Sequence, residues 1–166
     1  RRFLPYFCTQ FLGAFNDNVY RYAFAILITY FLAEEHRGIY VNSALVAFIL
    51  PFFLFSGMAG QIAEKLEKSK LISIVKFCEI PIMLVGVVSI LTEQVWLMLG
   101  TVFLMGLQST FFGPLKYSIL PQHVAPNELT KANGLVESGT FVAILLGTVF
   151  GTYYITQAAG PIYISI

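Results

Sequence analysis

The chain has 166 residues, of which 57% are hydrophobic and only 11% carry a charge. A typical soluble domain carries about 25% charged residues, so this chain could not cover a water-facing surface, and the composition predicts a membrane protein. The net charge of +1 excludes the basic field of a nucleic-acid-binding protein, so no nucleic-acid partner is expected.

Five segments are apolar enough to cross a bilayer as helices, which takes about 20 mainly apolar residues each. Polar connections separate them, the two longest at residues 64–70 and 116–133. The pattern predicts an all-α membrane protein with a single bundle over residues 1–166. The predicted helices span residues 3–33, 41–63, 71–91, 95–115 and 134–156.

The basic residues are sorted onto alternate connections. The connections 34–40 and 92–95 hold one basic residue, Arg37. The other side holds the chain start and the loops 64–70 and 116–133. Basic residues concentrate in cytoplasmic loops, so we predict a cytoplasmic N-terminus and two cytoplasmic loops. The basic residues on that side are Arg1, Arg2, Lys65, Lys68, Lys70, Lys116 and Lys131.

A polar stretch, FLGAFNDNVYR at residues 11–21, interrupts the first predicted helix. At about 3.6 residues per turn, Gln10, Asp17 and Arg21 fall close to one face, and the last two have the i,i+4 spacing of an ion pair. Asp17 would lie roughly 21 Å along the axis from the helix start, inside a hydrocarbon core about 30 Å thick. Charges at that depth must face the bundle interior or a wet cavity. The candidate binding residues are Gln10, Asn16, Asp17, Asn18, Tyr20 and Arg21.

Two interpretations of this stretch remain open. A buried Asp17–Arg21 pair could do no more than fix helix packing. The flanking asparagines favour a binding site for something polar that crosses the membrane, in which Asp17 binds an ammonium group or a coupling cation. Arg21 is then the candidate for a phosphate, because guanidinium binds phosphate in a bidentate manner.

The later helices carry secondary candidates. Lys76 and Glu79 are spaced i,i+3 and are predicted to pair, a structural role being favoured over a transport role. Gln108 is polar but uncharged, and the hydroxyls of its neighbours can bond back to their own helix. Lys116 and Glu137 flank the last loop, where Glu137 either binds a nearby lysine or acts in a gate. No metal-ligand or phosphate-loop motif occurs, so no metal or other cofactor is expected.

Small residues recur every four positions in the fifth predicted helix. Such a ridge lets another helix backbone approach closely, so it predicts packing rather than chemistry. Ser56, Gly57 and Gly60 are predicted to do the same late in the second helix. The ridge consists of Gly139, Ala143, Gly147 and Gly151.

Two other function classes compete with a transporter. His123 and Glu128 form H-x4-E, close to the H-x4-D motif of glycerolipid acyltransferases, in which His is the general base. The motif has Glu for Asp and lies in a loop without a soluble domain. The chain is therefore not expected to be an enzyme, with the membrane part of an acyltransferase as the alternative. A channel or scaffold fits less well, because the intramembrane charge is concentrated in one helix.

The loop after the second predicted helix, GQIAEKLEKSK at residues 60–70, resembles the signature loop of the major facilitator superfamily. Glu67 stands where that family has its second glycine, which puts the expected tight turn in doubt. In the family, the acidic residue caps a helix of the other half and the basic residues steady one conformation. The residues that match by type include Gly60, Glu64, Lys65, Lys68 and Lys70.

Two further elements resemble the lysophospholipid transporter branch of that superfamily: GAFNDN at 13–18, and FGPLKYSILP at 112–121 followed by ELTKANGLVE at 128–137. The resemblance implies twelve helices in two six-helix halves, of which this chain holds five of the first six. We therefore expect a piece of a longer protein, with the second half of the same chain as its partner.

The resemblance also implies an activity. A lysophospholipid, chiefly lysophosphatidylethanolamine, would move from the outer to the inner leaflet of a bacterial inner membrane for re-acylation, with a possible coupling cation, Na⁺ or H⁺. An acyltransferase would be a fused domain or a partner. A major-facilitator transporter of another small solute is the alternative.

Overall fold

The computed structural model describes the backbone of residues 3–31 and 34–163, with side chains described at 3–27 and 38–157. Within these residues the chain is all-α, as predicted, and contains no strand. Two short 3-10 turns, Leu120–Gln122 and Pro126–Glu128, precede the last helix. The helices are α1 (Phe3–Phe31), α2 (Glu34–Lys65), α3 (Lys68–Leu91), α4 (Val95–Ser118) and α5 (Leu129–Tyr163).

Four stretches are long and apolar enough to cross a membrane: Gly38–Lys65, Lys68–Leu91, Val95–Ser118 and Pro126–Gln157. The chain is therefore a multi-pass membrane protein, as the composition predicts. Helix α1 is not among the four, although it has 29 residues. Its central Asn16, Asp17, Asn18 and Arg21 lower the mean hydropathy of every window that contains them.

Several helices extend beyond the ends predicted from the apolar segments. α2 begins at Glu34 and α5 at Leu129, so the predicted connection 34–40 is helical and the one at 116–133 is largely so. The predicted loop 64–70 is reduced to Leu66 and Glu67. Hydropathy locates the part of a helix that lies in lipid, whereas backbone hydrogen bonding continues through polar residues into the interface.

The turn between α2 and α3 does not need the missing glycine. Glu67 has a φ of −65° and a ψ of 114°, an extended conformation that any residue adopts. Among the described residues that are not glycine, only Glu93, in the α3–α4 turn, has a positive φ, at 55°. The doubt that Glu67 raised about this turn is therefore resolved, because the chain reverses direction here without a left-handed residue.

Helices α1 and α5 pack side by side in the first of two compact units, which comprises residues 1–40 and 123–166. The ridge of small residues on α5 forms the contact, as predicted. A methyl group at Gly147 would lie 2.6 Å from the carbonyl oxygen of Phe15, and one at Gly151 would lie 2.6 Å from that of Val19. The two helices run parallel, because successive glycines along α5 meet successively later residues of α1.

The second unit, residues 41–122, contains the α3–α4 hairpin. Its core joins Ala63, Val75 and Leu115 from three successive helices. Gly106 of α4 lies directly against the backbone of Phe48 in α2, where a methyl group would overlap the Phe48 carbonyl.

The close approach predicted at Gly57 and Gly60 is wrong for the described residues. A methyl group at either position meets nothing within 4 Å. Small residues allow another helix to approach closely, but they do not determine whether a helix packs there.

Candidate functional site

Two of the six polar candidates on α1, Gln10 and Asn18, lie in the contact between α1 and α5. Gln10 is buried, with 2% of its surface exposed. Its Nε2 donates to the carbonyl oxygen of Val136 at 3.1 Å and to Oγ1 of Thr140 at 2.8 Å. Thr140 in turn donates to Val136 O at 2.8 Å. Gln10 therefore connects α1 to α5, a contact that sequence spacing within one helix could not reveal.

Asn18 also faces α5. Its Nδ2 donates to the carbonyl oxygen of Ala14 at 2.8 Å, and its Cβ lies 3.0 Å from where a methyl group at Gly147 would be. The side chain is buried. The absence of a side chain at Gly147 thus makes room for the amide. Substrate binding by Gln10 and Asn18 stays a prediction.

Of the remaining stripe residues, Asp17 and Arg21 lie on the same side of α1 as Gln10, and Asn16 and Tyr20 lie on a neighbouring strip. Asn16, Asp17 and Arg21 are half-buried, Tyr20 is buried, and all four make polar, ionic or ring contacts within the structure. Leu4 and Leu12 are the most exposed large apolar residues of α1, at 65% and 60%. At about 100° per residue, Asp17 points about 140° away from each of them. Asp17 therefore faces away from the apolar side of the helix, as the cost of exposing a charge to lipid requires.

A second polar cluster lies on the α3–α4 hairpin. Nζ of Lys76 and Oε2 of Glu79 are 2.7 Å apart, and their side chains are 18% and 15% exposed, so the predicted pair is confirmed. Nε2 of Gln108 lies 3.4 Å from the same carboxylate oxygen. The ammonium of Lys76 also lies 4.7 Å from the ring centre of Phe112, a cation–π contact between two helices that spacing within α3 could not reveal.

This cluster lies far enough along α3 that an unpaired charge in it would be costly within a membrane. Lys76 and Glu79 lie roughly 12 and 17 Å along the α3 axis from Lys68, at about 1.5 Å per residue. An unpaired charge at mid-membrane costs about 2.5–3.5 kcal/mol. Pairing, the amide of Gln108 and the ring of Phe112 offset that cost.

The signature-loop residues are mostly solvent-exposed. Glu64 and Lys65 lie in the last turn of α2, and Lys68 and Lys70 lie in the first turn of α3. Lys70 pairs with Glu67 at 2.8 Å, but both side chains are more than half exposed, at 77% and 60%. Such a pair contributes little to stability. Gly60 lies within α2 with open space around it, and the conformational role of this motif stays a prediction.

The hydroxyl groups of the hairpin are mostly satisfied by their own helices. Thr110 donates to the carbonyl oxygen of Gly106 at 2.7 Å, Thr101 to that of Leu97 at 2.9 Å, and Ser89 to that of Gly86 at 2.7 Å. The prediction that such hydroxyls bond back to their helix is confirmed at Thr110. These buried groups therefore stabilise helix backbone.

Lys116 and Glu137 belong to different units. Lys116 lies in the last turn of α4, with its ammonium 5.3 Å from the ring centre of Tyr117. Glu137 lies about two turns into α5, which starts at Leu129. A transport role for either residue stays a prediction.

The acyltransferase-like motif lacks the geometry of a catalytic dyad. The ring of His123 stacks on Tyr6, with the centroids 6.4 Å apart and the planes at 15°. Nδ1 of His123 is buried and has no hydrogen-bond partner among the described residues, so Glu128 does not orient the ring through it. Glu128 itself is exposed. Across the described residues, no three His, Cys, Asp or Glu side chains come together in a way that could hold a metal ion.

Comparison with known proteins agrees with this architecture. Proteins named lysophospholipid transporter LplT match 143 residues of the chain, with 33% identity in Salmonella arizonae and 34% in both Escherichia coli (strain K12 / DH10B) and Shigella boydii serotype 18. The match covers 86% of this chain but only 33–34% of each relative, so the chain spans about a third of their length. No solved structure gives a significant match. The family model of the Major Facilitator Superfamily matches residues 6–165. The chain therefore belongs to the Major Facilitator Superfamily.

Proposed function

We propose that this chain is part of the N-terminal half of a secondary transporter that moves a lysophospholipid, of the lysophosphatidylethanolamine type, across a bacterial inner membrane by alternating access. The observation that carries the proposal is the 33–34% identity to lysophospholipid transporters over 86% of the chain. The polar residues of α1 lie within a helix that otherwise suits a membrane, which fits a solute with a charged head and an apolar tail.

The chemistry of α1 suits a phosphoethanolamine head group. Such a group carries a phosphate and an ammonium a few bonds apart. Arg21 offers a planar fork for the phosphate, and Asp17 offers a carboxylate for the ammonium. The two residues are one helical turn apart on a side of α1 that points away from the exposed leucines. Oε1 of Gln10 is buried without a hydrogen-bond partner among the described residues and is a further acceptor on the same side of the helix.

The direction and partners follow from the same proposal. With the basic helix ends at the cytoplasmic face, the N-terminus is cytoplasmic and the product is delivered to the inner leaflet. Re-acylation there needs an acyltransferase, either fused or separate. The second six-helix half of the same chain supplies the other wall of the path. Asp17 is also the residue that could bind a coupling Na⁺ or H⁺, and no other cofactor is required.

The direct test is flipping of labelled lysophosphatidylethanolamine by the complete transporter in proteoliposomes, with and without a sodium or proton gradient. Asp17→Asn keeps the size of the side chain and removes its charge. We expect this variant to retain the melting temperature of the wild type and to lose most transport.

Glu93→Gln is the matched control, because Glu93 is exposed in the α3–α4 turn. It should transport like the wild type. An active Asp17→Asn variant, or a wild-type protein that moves no lysolipid, contradicts the proposal.

A further inference from the structure

An apolar groove of about 330 Å³ runs along α3, and the Lys76–Glu79 pair stands at one end of it. The other lining residues, Ile80, Met83, Leu84 and Val87, follow the i, i+3, i+4, i+7 spacing of a single helical stripe. Leu84 is 61% exposed and Val87 is 53% exposed, so the groove is open within the described structure. Its volume lies at the lower end of the range for ligand sites.

The charged end of this groove matches a zwitterion. Lys76 and Glu79 both line the groove and keep 18% and 15% of their side chains exposed. An ammonium has three donors and a carboxylate about four acceptor positions, so the pair can hold each other and a ligand at once. A phosphate beside Lys76 and an ammonium beside Glu79 would complete an alternating set of four charges.

We propose that this groove is a second lysolipid site, with a phosphoethanolamine head group on the Lys76–Glu79 pair and a single acyl chain along Ile80 to Val87. The proposal rests on the lysophospholipid transport proposed above and adds a site separate from the α1 stripe. The lining residues form one stripe of one helix, against which a single acyl chain can lie lengthwise. The head group lies toward the N-terminal end of α3, so with that end cytoplasmic the ligand has the orientation of an inner-leaflet lipid.

The test uses the complete transporter in proteoliposomes with lysophosphatidylethanolamine that carries a diazirine in its acyl chain. After photolysis, we expect labelled peptides that include residues 80–87. The variant K76M/E79Q removes both charges together, so that neither is left unpaired, and should reduce this labelling about tenfold. Leu84→Trp should block it by filling the groove, and because Leu84 is exposed the larger ring does not overpack a core.

The matched control is E67Q/K70M, which removes an i,i+3 pair of the same types from the exposed start of α3. It should leave labelling within about twofold of the wild type. A diacyl phosphatidylethanolamine with the same diazirine distinguishes a lysolipid site from ordinary boundary lipid. Equal labelling by the diacyl lipid contradicts the proposal. Absence of label from residues 80–87 also contradicts it, whether the label lies only elsewhere in the protein or another helix covers this face.

Failure of this site and failure of the proposed function give different results. If the wild type flips lysolipid and Asp17→Asn does not, while K76M/E79Q and Leu84→Trp leave photolabelling unchanged, then the α3 site is wrong and the transporter stands. If the wild type flips no lysolipid, the proposed function itself fails.

Discussion

Replacing Gly147 by alanine should push α1 away from α5. The added methyl group would lie 2.6 Å from the Phe15 carbonyl oxygen, 3.0 Å from Cβ of Asn18 and 3.3 Å from the Val19 amide nitrogen. The first and last of these atoms are backbone, so relief requires one helix to move. Overpacking of this kind costs about 1–3 kcal/mol, offset by about 1 kcal/mol from the better helix propensity of alanine.

Gly134→Ala isolates the contact from the propensity. Gly134 lies in the same helix, and a methyl group there meets nothing within 4 Å. This variant should therefore gain about 0.5–1 kcal/mol. Since propensity acts on both variants, their difference reports the steric term alone, about 1–3 kcal/mol.

The assay is unfolding of the complete transporter in mixed micelles, with both variants measured beside the wild type. Gly139→Ala should fall between the two, because its methyl group would meet the ring of Phe7, a side chain that can rotate, at 2.7 Å. Equal stability of Gly147→Ala and Gly134→Ala would refute the close α1–α5 packing at Gly147.

Three further results are expected. Gly106→Ala should lower the free energy of unfolding by about 1–3 kcal/mol, because its methyl group overlaps the Phe48 carbonyl. A methyl group at Gly100 meets nothing within 4 Å, so Gly100→Ala should cause no such loss, and similar losses in both variants would contradict the α2–α4 contact. Gln10→Leu and Thr140→Val should each destabilise, with a coupling energy of about 0.6–1.7 kcal/mol in a double-mutant cycle of unfolding measurements, and additive effects would argue against the hydrogen bond. In a background without Cys8 and Cys78, a single cysteine at position 93 should react with an impermeant reagent outside intact cells and one at position 67 should not, and the reverse pattern would invert the topology.

The sequence predicted features that depend on one helix or on composition. The all-α membrane fold, the Lys76–Glu79 pair and the small-residue ridge of α5 all follow from spacing within a single segment. They are confirmed because a helix fixes its own geometry once it forms.

Features that depend on how two helices align could not be predicted. Gln108 reaches Glu79 because α3 and α4 pack antiparallel in one particular alignment, and 29 residues separate the two in sequence. The donation from Gln10 to Thr140 spans 130 residues. The failed prediction at Gly57 and Gly60 has the same origin, since spacing shows which face could pack but not which helix arrives there.

The packing of α1 on α5 and the placement of the charged residues of α1 depend on the same contact. Phe15, Asn18 and Val19, which meet Gly147 and Gly151, flank Asp17 in sequence, so the position of α5 fixes the rotation of the turn that carries the carboxylate. A rotation of one residue, about 100°, would carry Asp17 from its half-buried side toward the exposed apolar side or toward α5. The hydrogen bond from Gln10 to Thr140 opposes the same rotation two turns earlier. The glycines of α5 thus determine where the charged residues of α1 point, and the packing and the proposed binding of a lysolipid depend on the same helix pair.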